Sequence, residues 1–334
     1  MKVTITGATG RVGANLALAM TREGHEVTGI VNPDSPRAAK LDPLGVRVVF
    51  ADLRDMGQVA QAVAGAEAIY HLGARIGGPD DMAQFDINLR GTMNVLEGAA
   101  ACPGLKRLFF ASTDAVIPHG GFIADPIPED TPPVHGNMYG WTKYCAELLC
   151  MNYHSEKGLP VVIGRFPYIL GPGELLKADY FRGLRLSDHA ARLEGIEKPT
   201  PDQEKAIEAL QAGRGDETWA LVRSMEDIPY QKHVGDVRDL VAAMLLVLAK
   251  DECVGQTMNI MGRPLNWAEA VPYLAEKTGK PYVDVRLPGP AMFYEYSLAT
   301  AKRVLGFEPE HDYRSMIEIA LASQRGEETG WLVP

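Results

Sequence analysis

The chain has 334 residues, 46% hydrophobic and 23% charged, a composition that builds a packed core and excludes a disordered chain. Its net charge is −10 with no block of basic residues, which argues against nucleic acid or an anionic membrane surface as a partner. The longest apolar run lies within residues 240–249, far short of the ~20 residues needed to span a bilayer.

Short β-branched runs at residues 3–6, 26–31, 47–50, 68–71 and 107–111 alternate with helical spacing over 12–23, 37–41, 56–64 and 82–101. A helix over 139–156 and a sixth strand over 159–165 follow. Strands alternating with helices predict right-handed βαβ units and a doubly wound parallel sheet, an α/β fold. From 171 to about 225 the chain is charged and helix-prone, without strand alternation. Thr200-Pro201-Asp202-Gln203 reads as a cap, a first-turn proline and a capping-box partner, opening a helix through Leu210. A helix over 237–249, a short strand over 257–261 and a helix over 267–278 come next. The expected organisation is a dinucleotide-binding domain over 1–170, with returns near 227–262. A smaller substrate-binding lobe would take most of 171–334, including a helical insertion at about 174–225.

Cys102, Cys145, Cys150 and Cys253 form no C-x-x-C pair and the eight histidines no H-x-x-x-H spacing, so reduced thiols and no metal site are expected. Met1 and Lys2 run straight into an apolar strand, leaving no room for a targeting peptide, and the compartment expected is the cytoplasm.

The strand at 3–6 leads into Gly7-Ala8-Thr9-Gly10-Arg11-Val12-Gly13. Gly7 allows a tight turn, Gly10 lets backbone approach a pyrophosphate, and Gly13 lets the next helix pack closely on the sheet. That helix start offers free N–H groups and a partial positive charge to phosphate. Thr9, Arg11 and Val12 lie inside the same turn and are expected cofactor contacts. Asp52, followed by Leu53, is placed to accept from an adenine amino group; its other reading is a helix cap near Asp55. Leu72, Gly73 and Ala74 put small residues where backbone passes the cofactor. The second strand ends Val31-Asn32-Pro33-Asp34, with no carboxylate at Val31. Asn32 or Asp34 suits the ribose of NAD, and Arg37 the 2′-phosphate of NADP, so NAD or NADP stays open.

Tyr139 and Lys143 stand four residues apart on one helix face. A phenol has a pKa near ~10, and a neighbouring ammonium favours its ionised form, fitting Tyr139 for proton transfer. Thr113, 26 residues upstream at a strand end, can steady a substrate oxygen; Ser112 is the neighbouring alternative.

Together these residues resemble the extended short-chain dehydrogenases/reductases, the NAD(P)-dependent epimerase/dehydratase family with its Rossmann domain. The likeness covers most of the chain. It rests on 6–13 (T-G-x-x-G-x-x-G), Asp52-Leu53, His71–Ala74, Asn88–Asn94 (N-x-x-G-T-x-N), Thr113/Tyr139/Lys143, Arg165–Gly173 and His233–Val237. The resemblance implies catalysis by Thr113, Tyr139 and Lys143, with Lys143 also holding the nicotinamide ribose. It implies Pro167 as a cofactor contact and Tyr168 beside the substrate, and a homodimer through helices 82–101 and 139–156. Nucleotide-sugar members usually carry asparagine where Tyr168 stands and arginine where Pro229 stands, which disfavours such a substrate here. The run 111–117 is somewhat closer to uronate-dehydrogenase-like members. Arg75, His119 and Tyr168, with Ser112, are the expected substrate contacts, Arg75 as partner to a carboxylate.

The function expected is hydride transfer between NAD(P) and a secondary alcohol or carbonyl of a small polar, sugar-type molecule. Two alternatives stand beside it: a sugar or nucleotide-sugar epimerase/dehydratase retaining NAD, and a non-catalytic NAD(P)-sensing protein.

Overall fold

A computed structural model describes residues 1–118, 121–134 and 136–333. Strand β1 (Lys2–Thr6) leads into helix α1 (Arg11–Arg22), followed by β2 (Glu26–Val31) and β3 (Arg47–Phe50). Helix α2 (Met56–Val63) returns the chain to β4 (Ala68–His71). Then come α3 (Asp81–Phe85), α4 (Gly91–Ala100), β5 (Arg107–Thr113), α5 (Met138–Lys157) and β6 (Val161–Phe166). Their central strands are continuous apolar runs because helices cover both faces of the sheet.

After β7 (Tyr168–Leu170) the chain forms α6 (Ala190–Glu194), α7 (Pro201–Gln211), β8 (Trp219–Arg223), β9 (Gln231–Asp236) and α8 (Val237–Ala249). It closes with β10 (Thr257–Asn259), β11 (Pro264–Asn266), α9 (Trp267–Thr278), β12 (Tyr282–Arg286), α10 (Ala299–Leu305) and α11 (Tyr313–Gln324).

The main sheet has seven strands in the order β10-β6-β5-β4-β1-β2-β3, every neighbouring pair parallel. The fold is therefore α/β, a doubly wound sheet of the Rossmann type. The chain runs outward from β1 to β3, then crosses back to lay β4 on the other side of β1. Such a reversal opens a crevice at the carboxyl ends of β1 and β4. Strands β7, β9 and β11 form a second small sheet, and β8 pairs with β12. One core lies beneath α1 and α8, and another surrounds Phe181, Trp219 and Trp267. No described helix is long and apolar enough to cross a membrane.

Four sequence expectations need correction. Residues 82–101 do not form one uniform helix: a π-helical turn, Asp86–Arg90, separates α3 from α4. The Asn88 side chain in that turn accepts from the Arg75 N–H and donates to Thr142 Oγ1 on α5, and Thr92 Oγ1 donates to the Asn88 carbonyl at 2.5 Å. The segment after 171 does contain a strand, β8, whose run Trp-Ala-Leu-Val is buried throughout and so shows no alternation. Its partner β12 was also not expected. Residues 37–41 belong to a 3-10 helix, Ala38–Leu44, with Pro43 inside it. By contrast α7 starts as read, the Gln203 side chain accepting from the Thr200 N–H at 2.9 Å.

Candidate active site

A cavity of about 970 Å³ opens over the carboxyl ends of β1, β4 and β5, at the upper end of the size of small-molecule sites. Every described residue singled out from the sequence as catalytic, cofactor-binding or substrate-binding lines it. His119 lies outside the described residues.

At one end the wall is the glycine turn. Gly7 has φ +66°, a conformation that side chains disfavour. A Cβ on Gly13 would stand 2.3 Å from the Gly7 carbonyl oxygen, and one on Gly10 3.1 Å from it. The α1 N-terminus has no side-chain cap, so its first N–H groups face the cavity, an anion-binding arrangement. The side-chain-free cradle and the uncapped helix together fit a pyrophosphate.

A buried relay fixes this turn to β4. The Gly73 N–H donates to Thr6 Oγ1 at 2.9 Å, and Thr6 Oγ1 lies 2.7 Å from His71 Nδ1. On the other side His71 Nε2 is 3.0 Å from Thr92 Oγ1. Because Thr92 gives its proton to the Asn88 carbonyl, it accepts from Nε2–H; Nδ1 therefore accepts from Thr6. Both ring nitrogens are used by a neutral imidazole. Burial pushes His71 down to about 3, with the Lys143 charge acting the same way.

Further along, Asn32 accepts from the Asp34 N–H at 2.9 Å, and the Arg37 side chain borders the same wall. The Asp52 carboxylate is gripped by Arg54, Nη2 to Oδ2 at 2.6 Å, and the Arg54 hydrogen bond holds its pKa down. Asp55, not Asp52, caps α2, accepting from the Gln58 N–H at 2.9 Å.

The strand β5 continues through Thr113, and this separates its two hydroxyls. Ser112 Oγ donates to Glu147 at 2.5 Å on the buried side, within an ion pair in which Arg165 Nε and Nη2 bond Glu147 at 2.9 and 2.8 Å. The expectation that Ser112 contacts substrate is thus corrected: alternation along the strand turns its hydroxyl away. Thr113 faces the other way, into the cavity beside Tyr139, its hydroxyl donating to Asp114 Oδ1 at 3.2 Å and accepting from the Ala115 N–H at 3.2 Å. Burial and the charge of Asp114 push the Tyr139 phenol up to about 12, against the opposing effect of the Thr113 hydroxyl. Lys143 is fully buried, 4.0 Å from the Phe110 ring centroid, and its burial brings it down to about 8.

At the far end, Tyr168 is not free to offer its hydroxyl, which donates to the Tyr180 carbonyl at 2.5 Å while Tyr180 donates to the Ile169 carbonyl at 2.7 Å. Arg75 is exposed at the rim, its backbone fixed by Asn88 at 2.7 and 3.0 Å. Arg11 reaches across the cavity to Glu174, Nη2 to Oε1 at 2.5 Å, and its guanidinium lies 4.4 Å from the Tyr180 ring centroid. Sequence reasoning did not single out Tyr180, Lys232 and Tyr294 as parts of this wall, nor Glu174 as the partner of Arg11, nor Asp114 as a charge beside Tyr139. Only Lys232 carried a signal. It precedes the flagged His233 on a strand, and strand alternation puts it on one face with Val234 and Asp236.

The chain belongs to the NAD dependent epimerase/dehydratase family, whose model matches residues 3–260. It is 30% identical to a short-chain dehydrogenase/reductase superfamily protein from Agrobacterium tumefaciens solved with bound NAD, over 98% of each chain, with a TM-score of 0.79. An L-arabinose 1-dehydrogenase (NAD(P)(+)) of Haloferax volcanii is 28% identical over 69% of this chain and 95% of its own. A 3beta-hydroxysteroid-dehydrogenase/decarboxylase of Arabidopsis thaliana is 34% identical over 49% of this chain, which spans only 36% of that relative's length.

Proposed function

We propose that the protein is an NAD(P)-dependent oxidoreductase acting on a secondary alcohol or carbonyl of a small polar, sugar-type substrate. The observation that carries this reading is the meeting of Thr113, Tyr139 and Lys143 in the same cavity as the uncapped glycine-turn helix. A nicotinamide bound there supplies the hydride acceptor or donor. Gly7, Gly10 and Gly13 seat the pyrophosphate, and Leu72, Gly73, Ala74 and Pro167 border the remainder of the dinucleotide. Thr113 orients the substrate oxygen, and Tyr139 exchanges the proton. With its pKa raised to about 12 the phenol is protonated at neutral pH, the state that delivers a proton to a forming alkoxide. Lys143 holds the ribose. The separate core around Phe181, Trp219 and Trp267 supports a division into a dinucleotide-binding domain and a smaller substrate lobe. The exposed apolar side chains of Met93 on α4 and Leu148 on α5 support a homodimer through these helices.

Absorbance at 340 nm with NAD or NADP, over a panel of sugars, aldonates and uronates, tests the reading. Turnover-linked NAD(P)H establishes a dehydrogenase and identifies the cofactor. The family match equally supports an epimerase or dehydratase. That reading is the right one if cofactor co-purifies and no substrate gives net reduction.

A further inference from the structure

The cations around the cavity are unequally served. Arg11 has Glu174, and Lys143 is buried against Phe110 with the charge of Glu147 nearby. Lys232, half-buried on β9 and lining the same cavity, has only ring faces. Its Nζ lies 4.1 Å from the Tyr168 centroid and 5.9 Å from that of Phe181. Among the described residues no carboxylate or other acceptor bonds it. Strand register explains the placement: Tyr168 pairs with Val234, which shares a face of β9 with Lys232, so the lysine stem lies diagonally across the tyrosine ring. The ring is itself held by its hydroxyl bond to Tyr180.

An ammonium withdrawn from water recovers only part of its hydration from a π face. Burial accordingly lowers the Lys232 pKa, against the pull of Asp114. The Asp114 charge is felt also by Tyr139, Tyr294 and Tyr296. The substrate end therefore has an acidic pole beside the reacting hydroxyls and a basic pole at Lys232. Hydroxyl donors suit the first, and an anion suits the second.

We propose that Lys232 recognises the charge of the substrate, which is a small hydroxylated acid whose carboxylate or phosphate ester docks on Nζ. The assignment rests on the proposed function only in taking this cavity as the substrate site.

The test is thermal stabilisation of the full chain saturated with NAD or NADP, titrated with D-glucuronate, D-gluconate, glucose 6-phosphate and D-glucose at matched ionic strength. At least one acid should bind about tenfold or more tightly than glucose, a gap of about 1.4 kcal/mol. The first two acids against the third separate carboxylate from phosphate. Lys232→Met should close the gap and Lys232→Arg should keep most of it, both with cofactor affinity intact. The proposal is overturned if no acid outbinds glucose, if Lys232→Met leaves the gap, if Lys232→Arg loses as much as methionine, or if Arg75→Ala alone abolishes it. Turnover separates the two readings. Lysine-dependent acid binding without any change in NAD(P)H sinks the oxidoreductase and keeps this assignment, whereas turnover of neutral sugars alone does the reverse.

Discussion

At the glycine-turn end of the cavity the wall is mostly backbone, drawn from residues 7–13 and 72–74, and its shape depends on side chains that are missing. At the opposite end the wall is aromatic and charged, assembled from Asp114, Tyr168, Tyr180, Lys232 and Tyr294 on segments far apart in the chain. The first end offers phosphate the same backbone whatever the substrate. The second presents tyrosines and a lysine, side chains with chemistry of their own. Recognition common to many molecules can be built from main chain, whereas recognition of one molecule needs side chains placed by the tertiary fold.

The largest effect expected comes from Tyr139→Phe, which should lower turnover by about 10²–10⁴-fold while cofactor affinity holds. Equal loss of cofactor binding, measured by fluorescence titration, would break the separation of the two ends. Glu174→Ala should cost about 3 kcal/mol of stability in urea unfolding, because it leaves the Arg11 guanidinium without its buried partner. It should also weaken the cofactor, since Arg11 belongs to the glycine turn. Gly13→Ala sharpens the contrast from the other side. Its Cβ would meet a backbone oxygen that cannot retreat, at a cost of roughly 1–3 kcal/mol. Cofactor affinity should then fall by about 10–100-fold, with turnover at saturating cofactor largely kept.

The smallest step, per unit of pH, concerns one histidine from each end. His71 is held at about 3 and His233 at about 4, chiefly by burial. His233 donates Nε2–H to the Gly262 carbonyl at 2.6 Å and accepts from the Tyr296 N–H at 2.9 Å, so it too is neutral. The unfolded chain takes up these protons near pH ~6.5 and the folded chain does not. Their stabilisation is therefore complete above pH ~6.5 and declines below it, by about 1.4 kcal/mol per pH unit for each histidine. Calorimetry between pH 7.5 and 4.5 should show the melting temperature falling. His71→Asn should flatten that slope, and an unchanged slope would contradict the buried neutral ring.

The two ends also differ in how far the sequence discloses them. The turn at 7–13, the relay residue His71 and the sheet strands are local patterns, and each is found where the spacing places it. Thr113 and Tyr139 were legible because each follows its own local sign, a strand end and a helix start. Tyr180 and Tyr294 belong to no spacing rule; they meet the cavity only because the segments after β7 and β12 fold over it. Ser112 shows the opposite error. A hydroxyl beside that of Thr113 looked useful, but one step along β5 reverses the face and gives it to Glu147. Strand β8 escaped notice for a related reason, since a strand buried on both faces has no alternation to read.

The Arg11–Glu174 contact joins positions 163 residues apart. During synthesis the turn emerges before the partner of its arginine, which is added roughly 10–30 s afterwards at about 5–20 residues per second. The nascent amino-terminal half can form its glycine turn early, but with the guanidinium of Arg11 still turned toward water. The arginine of the glycine turn thus waits for its carboxylate until 163 further residues have been joined to the chain.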